Sequence, residues 1–177
     1  LIVVGIATTI FYFATKGTSG REQVVESSPV STPDTAVTPT PQPETKVNAL
    51  FPYRNAGKWG YKDQLGSTQI NPVYTKATDF SEGYAFVADD SDKYAAMDLL
   101  GNLFTSFKYE DVRPFSEGYA AVMAGGVWGY VDVGGNEIIA PAYTSASEFN
   151  DGLAMVGQDG RYIYINERGE QVFGPYD

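Results

Sequence analysis

An aromatic residue that opens a short β-prone segment recurs along this chain at a nearly constant spacing. Its four copies are Trp59, Tyr94, Trp128 and Tyr162, which lie 35, 34 and 34 residues apart. A fixed period of this length is typical of repeat proteins, in which each copy is one small structural unit. The sequence therefore predicts tandem units rather than a single continuous fold.

Further residues keep the same spacing within each copy. An Asp or Asn lies four residues after the opening aromatic residue, and a Gly lies three residues later. The four glycines are Gly66, Gly101, Gly135 and Gly169. An Asx residue three positions before Gly is a turn signature, because the side chain accepts hydrogen bonds from the turn amides and Gly adopts the left-handed conformation. A phenylalanine also repeats, at Phe80, Phe115 and Phe149.

The segments between these landmarks alternate with a period of two and favour β-strands. Each copy contains three such segments. The first is a strand such as YAFV at 84–87, and the second, here called the aromatic strand, is the strand that begins at the recurring aromatic residue. The third is a short apolar run such as EIIAP at 137–141, whose Pro should end the pairing. We predict an all-β fold of three-stranded meanders. The segment VNALFPY at 47–53 supplies the missing strand before Trp59, which gives four meanders.

A meander of this size cannot bury both of its faces, so neighbouring units must cover each other. We expect the three repeating phenylalanines to be buried at matching places. Small Gly60, Ala95 and Gly129 should lie where a neighbouring chain segment approaches closely. The sequence favours an open stack of units; a small propeller-like closed ring is the alternative.

The pattern GKWGY, DxxG, PxY and FxEGxAxV resembles the WG-repeat (KWG) family of bacterial β-repeat proteins, which are often exported or attached to a membrane. The resemblance covers roughly residues 57–177 and implies a β-repeat fold with no common catalytic site. Tyr94 and Tyr162 replace the family's Trp. The last copy stops before its Phe-x-Glu-Gly portion, which is typical of a terminal capping repeat.

The chain before the repeats differs in composition. Residues 1–16 are apolar and end at Lys16, which predicts a truncated transmembrane or signal-anchor segment. Residues 17–46 are rich in Pro, Ser and Thr without an aromatic residue, which predicts a disordered linker. The repeat domain is then 47–177. We expect it to be membrane-anchored and to face outside the cytoplasm.

Composition excludes several functional classes. The chain has no His and no Cys, which excludes histidine-dependent triads, thiol nucleophiles and the usual zinc sites. Its net charge of −10 opposes binding to nucleic acid. No phosphate-binding or metalloprotease motif is present, so we expect no cofactor.

Three sets of residues are candidates for binding sites. The aromatic column of Trp59, Tyr94, Trp128 and Tyr162 could form a sugar-stacking platform, but core packing is the favoured interpretation. A one-residue insertion places Asp89, Asp90 and Asp92 in a loop that could attract a cation or a basic partner. A polar hairpin loop is the simpler interpretation. The acidic turns at 81–83, 116–118 and 150–152 are interpreted as solvated.

These inferences favour a non-enzymatic module that binds a protein or a cell-envelope polymer and acts as a scaffold. The first alternative is a module that binds envelope carbohydrate through exposed Tyr and Trp. The second is a hydrolase with a pair of carboxylates, which requires two such groups facing each other across a cleft.

Overall fold

The computed structural model describes residues 49–177, which form fourteen β-strands and, within this range, no helix. The prediction of an all-β fold is confirmed. The predicted anchor at 1–16 and the linker at 17–46 lie outside the described residues. No helix in the described range is long and apolar enough to span a bilayer.

The strands form four small antiparallel sheets, here called units 1 to 4. Unit 1 contains β1 (Phe51–Asn55), β2 (Lys58–Lys62) and β3 (Thr68–Tyr74); unit 2 contains β4 (Lys76–Ala77), β5 (Tyr84–Ala88) and β6 (Tyr94–Asp98). Unit 3 contains β7 (Asp111–Val112), β8 (Tyr119–Ala124), β9 (Val127–Asp132) and β10 (Glu137–Tyr143); unit 4 contains β11 (Ser145–Ala146), β12 (Leu153–Gln158), β13 (Arg161–Asn166) and β14 (Gln171–Tyr176).

Each unit is built on a meander in which the aromatic strand is flanked by its sequence neighbours. In unit 1, β1 pairs with β2, which places Tyr53 opposite Gly60. The strand expected before Trp59 is therefore present. Unit 2 lacks a continuous outer strand, because only single bridges at Leu103 and Tyr109 continue its sheet. The irregular segment before each phenylalanine also forms a two-residue strand in units 2 to 4, which the sequence did not indicate.

The outer strand of a unit bends around the small residue of the aromatic strand. A Cβ atom on Gly129 would lie 2.4 Å from the carbonyl oxygen of Ile139, and Gly60 has the same relation to Ile70. Only glycine leaves room for this approach. The expectation that Pro141 ends the pairing is wrong. Pro141 lies inside β10, within the irregular stretch between Ile139 and Tyr143, where a bulge removes the need for its amide hydrogen.

The turn after each aromatic strand follows the predicted signature. Asp63 Oδ1 accepts hydrogen bonds of 2.9 Å from the amides of Leu65 and Ser67, and Gly66 has a φ of 80°. Asp132 and Asn166 make the same bonds in units 3 and 4. The turn also reaches the preceding unit, since a Cβ on Gly169 would lie 3.5 Å from Ile139.

The hydrophobic core is divided into three clusters, each between two consecutive units. Tyr61 of unit 1 packs with Val87 and Met97 of unit 2. Phe86 of unit 2 packs with Phe115 of unit 3. Unit 3 contributes Trp128 and Tyr130 to a cluster with unit 4, which contributes Phe149 and three further buried aliphatic residues, Val156, Ile163 and Ile165. Neighbouring units therefore cover each other, as the repeat pattern predicts.

The four sheets are arranged as tandem repeats and none closes into a barrel. Within residues 49–177, β1 pairs with β2 and β14 pairs with β13, so no strand pair joins unit 1 to unit 4. All six residues of β14 are exposed. The favoured open arrangement agrees with these strand pairings, and no hydrogen-bonded pair seals a ring.

Candidate functional site

The acidic turns of consecutive units are connected by hydrogen bonds. The amides of Glu117 and Gly118 each donate a bond of 2.8 Å to the carboxylate of Glu82. The amides of Asp151 and Gly152 donate bonds of 2.7 and 2.9 Å to the carboxylate of Glu117. Each carboxylate therefore binds two successive main-chain amides of the next unit, an arrangement that suits an anion.

A second bond accompanies each carboxylate. Ser81 Oγ donates to the carbonyl oxygen of Phe115, and Ser116 Oγ donates to that of Phe149, both at 2.7 Å. Glu82 and Glu117 are exposed, in agreement with the interpretation of these turns as solvated, but their carboxylates also bind the next unit, which the sequence did not indicate. The glutamates have positive φ values of 52° and 55°, which disfavour a long side chain. Their contacts with the next unit offset this cost.

Two of the three repeating phenylalanines, Phe80 and Phe149, fit against the preceding unit in the same way. Phe149 contacts Tyr130 edge-to-face with ring centroids 4.8 Å apart, and Phe80 contacts Tyr61 at the same distance. The hydroxyl groups of Tyr130 and Tyr61 donate bonds of 2.8 Å to the carbonyl oxygens of Ser147 and Thr78. Burial raises the pKa of both tyrosines above its usual value. Phe115 and Phe149 are buried, whereas Phe80 is half-buried.

The aromatic column is not uniformly buried. Trp128 is 4% exposed, Trp59 and Tyr94 are half-buried, and Tyr162 is 44% exposed. The expectation of core packing therefore does not extend to Tyr162. The difference follows from position, because unit 4 covers Trp128 while no described unit covers Tyr162.

The acidic loop at Asp89, Asp90 and Asp92 is occupied by local contacts. Asp89 Oδ1 accepts bonds from the amides of Ser91 and Lys93, as a turn-capping residue does. Asp90 forms an ion pair with Lys58, and Asp92 lies 3.3 Å from the ammonium nitrogen of Lys76. No group of acidic side chains in the described range is arranged to hold a metal ion.

A groove of about 620 Å³ lies beside unit 4 and is here called the terminal groove. Its walls combine polar and apolar side chains. They include Arg113, Ser147, Glu148, Asn150, Leu153, Met155 and Tyr164. The guanidinium carbon of Arg113 lies 5.2 Å from the ring centroid of Trp128, which is a cation–π arrangement.

The sequence patterns did not single out this groove. One signal was available, since Arg113 occupies the repeat position of Thr78 and Ser147 and departs from their small hydroxyl side chains. Asn150 and Leu153 also depart from the repeat, since they replace a serine and a tyrosine of the earlier copies, whereas Tyr164 matches Tyr130 and differs mainly in its exposure. That exposure depends on which unit follows, which no single copy of the repeat encodes.

Comparison with known proteins supports the repeat assignment. The model of the family described as WG containing repeat matches three consecutive segments, at 59–94, 94–128 and 128–162. No curated protein is significantly similar to the chain. A solved structure described as "KlHsv2 with loop 6CD replaced by a Gly-Ser linker" is 13% identical and has a TM-score of 0.48. The similarity covers 70% of this chain and 46% of that one, so the chain spans under half of that structure.

The matched segments begin at the aromatic residues that define the period, and together they extend over more than half of the chain. Their boundaries coincide with the aromatic strands β2, β6, β9 and β13 of the four units. The chain is a repeat-containing β protein and belongs to the WG containing repeat family.

Proposed function

We propose that this chain is a non-enzymatic binding module that recognises a partner protein through the outer face of unit 4. Its N-terminal segment tethers the module to a membrane, with the repeats outside the cytoplasm. The observation that carries the proposal is the concentration of uncovered apolar side chains at unit 4. Exposed apolar groups in one contiguous patch are typical of interaction sites.

Apolar side chains that are exposed in unit 4 have counterparts in unit 3 that are buried or nearly so. Met155 is 38% exposed and Phe173 is 50% exposed. They hold the repeat positions of Ala121 and Ile139, which unit 4 buries in the core. Unit 4 therefore presents the same kind of surface that forms a core one unit earlier. Such a face differs from the polar outer face expected of a capping repeat.

The opposite end of the repeat array has a different character. Lys62 of unit 1 holds the position that Met97, Val131 and Ile165 hold in the other units. Its ammonium nitrogen lies 4.5 Å from the ring centroid of Tyr53. A charge at this position opposes the covering of β2 by a further layer, because burying an unpaired ammonium group is costly. This contrast favours unit 4 as the binding end.

Carbohydrate binding is a second candidate, favoured by one pair of residues. Tyr162 lies opposite Tyr176 in the β13–β14 register, and both are exposed. Two exposed tyrosines on one face can stack on sugar rings. The neighbouring rings are less suitable, since Tyr164 meets Phe173 and Tyr176 at 75° and 78° rather than lying flat beside them.

The geometry favours binding over hydrolysis by a carboxylate pair. Among the described residues that line the terminal groove, Glu148 is the single carboxylate. A carboxylate-pair mechanism requires an acid and a second carboxylate on opposite sides of the scissile bond.

The proposal is tested with immobilised full chain exposed separately to envelope proteins and to purified envelope polysaccharides. Three forms are compared: the unchanged chain, Phe173→Asp, and the control Val73→Asp. Val73 is an equally accessible apolar residue of unit 1, 59% exposed. We expect the unchanged chain and the control to retain the same protein, and Phe173→Asp to lose it. Retention of polysaccharide instead supports the carbohydrate candidate, and equal protein retention by all three forms contradicts the proposal.

A further inference from the structure

The terminal groove corresponds to a site that is occupied between units 3 and 4. Leu153 and Tyr164 line the groove and hold the repeat positions of Tyr119 and Tyr130. In unit 3 those two tyrosines receive the ring of Phe149, with centroid distances of 5.3 and 4.8 Å. The groove is therefore the place where unit 4 would receive a phenylalanine from a following segment.

The polar groups around that place also have counterparts. Asn150 and Asp151 follow in the positions of Ser116 and Glu117, which bind the main chain of the incoming turn. Within residues 49–177, the Asp151 carboxylate has no hydrogen bond from a main-chain amide of another unit, and the Tyr164 hydroxyl has none to a carbonyl oxygen. Unit 4 therefore carries the hydrogen-bonding groups that bind an incoming turn in unit 3, but no turn within the described residues binds to them.

We propose that the terminal groove binds a loop of a partner protein in which a phenylalanine is followed by a tight turn ending in glycine. The phenylalanine packs on Leu153, Met155 and Tyr164. The amide of Asn150 donates to the carbonyl oxygen of that phenylalanine, and the Tyr164 hydroxyl donates to the carbonyl two residues earlier. The Asp151 carboxylate accepts bonds from the two amides at positions two and three after the phenylalanine.

This occupant is chosen because the groove continues an interface that the molecule already forms. Phe80 on Tyr61 and Phe149 on Tyr130 repeat the same edge-to-face contact and the same tyrosine-to-carbonyl bond. A third use of this geometry requires a further turn of the same kind, and we assign that turn to a partner protein. Since Asp151 is one methylene shorter than Glu117, we assign the larger share of the affinity to the aromatic contact.

The inference rests on the proposed function and names the segment that the partner presents. The probe is a fluorescein-labelled peptide with the sequence of residues 76–88, KATDFSEGYAFVA, which contains the phenylalanine and the turn. Its binding to the full chain is measured by fluorescence polarisation. The corresponding turn sites on the described earlier units are occupied within the chain, so the terminal groove is the expected site.

Three comparisons define the expected result. A peptide carrying Phe80→Ala should bind about tenfold more weakly than the unchanged peptide, which is a loss of about 1.4 kcal/mol. Asp151→Asn in the full chain should weaken binding about threefold, whereas Asp159→Asn, the same change on a neighbouring exposed turn, should leave it unchanged. Tyr164→Phe, which keeps the ring, should weaken binding less than the loss of the peptide's phenylalanine.

The inference is overturned if the peptide with Phe80→Ala binds as tightly as the unchanged peptide. It is also overturned if Asp159→Asn and Asp151→Asn weaken peptide binding equally. Absence of peptide binding also overturns it. These outcomes are separate from the proposed function, because Phe173→Asp tests retention of the partner without reference to the peptide. If Phe173→Asp abolishes retention of the partner but the unchanged chain does not bind the peptide, the proposed function stands and the proposed phenylalanine loop is contradicted.

Discussion

The carboxylate of Glu117 accepts a hydrogen bond of 2.7 Å from the main-chain amide of Asp151. A second bond from Gly152 makes the contact bidentate and fastens unit 4 to unit 3. We predict that Glu117→Gln lowers the free energy of unfolding by about 1 kcal/mol, since an amide can accept one of these bonds but places its own hydrogens against the other donor; the figure is small because the group is exposed.

The matched control for this change is Asp151→Asn. Its carboxylate occupies the same repeat position, but no described unit donates to it, so the free energy of unfolding should stay within about 0.5 kcal/mol. Urea denaturation followed by circular dichroism measures both variants. Equal destabilisation by the two substitutions would show that the inter-unit bonds do not contribute.

Trp128→Ala should be far more costly than Tyr162→Ala, although the two residues share a repeat position. Trp128 is buried between units 3 and 4, and emptying such a site costs about 3–5 kcal/mol. Tyr162 is 44% exposed, so its removal should cost about 1 kcal/mol or less. Thermal denaturation of both variants tests the difference, and a large loss from Tyr162→Ala contradicts the uncovered face of unit 4.

Tyr130→Phe should lower the free energy of unfolding by about 1–2 kcal/mol. The substitution keeps the ring that contacts Phe149 but removes the hydroxyl that donates to the carbonyl of Ser147, which leaves that acceptor without its bond. Tyr164→Phe is the matched control at the same position of unit 4 and should change the free energy by less than about 0.5 kcal/mol. Urea midpoints of the two proteins provide the measurement.

The turn aspartates predict a loss of stability in acid. The side chain of Asn136 lowers the pKa of Asp132, and the amide of Ser67 lowers that of Asp63. Because the pKa values are lower in the folded state, the ionised groups stabilise the fold above the unfolded value of about 3.9, and this stabilisation disappears as the pH falls through the folded value. Urea midpoints should therefore decrease below about pH 4.

Asp132→Asn provides the control for that pH dependence. Asn166 makes equivalent turn bonds without a titrating group, so the substitution is compatible with the turn. The variant should lose less stability than the unchanged chain between about pH 5 and pH 2. An identical pH profile would mean that this carboxylate contributes nothing to acid unfolding.

Deleting residues 1–46 should leave a folded β domain, because every described core cluster lies within 50–165. The shortened chain should give a β-type circular dichroism spectrum and a cooperative thermal transition. A random-coil spectrum would contradict the domain boundary at residue 47.

The repeat period was sufficient to predict the meanders, because the positions of the Asx turns and of the alternating aromatic residues are local properties of each copy. Asp63 and Gly66 form their turn from contacts within five residues of each other. The close approach at Gly129 was also predictable, since a small residue recurs at this position in the aromatic strands of units 1 to 3 and implies a crowded backbone.

The contacts between units were harder to predict from the sequence. Glu82 and Glu117 looked like ordinary polar turn residues, and their role depends on the placement of a second turn about 35 residues away. Local patterns do not report the spacing between two sheets. For the same reason Tyr162 and Trp128, which are equivalent in sequence, differ in exposure: one has a following unit and the other has none in the described range.

Because every core cluster forms between consecutive units, the contacts of this β protein stay close in sequence. The bond from Ser81 to Phe115 spans 34 residues, and even the bond from Tyr119 to Glu167 spans 48. Folding rates fall as the sequence separation of native contacts rises, because the chain loses the entropy of loop closure before the stabilising contacts form. A chain organised in this way can form one pair of units and extend it by neighbour addition, so its folding should be faster than that of an all-β sandwich of equal length.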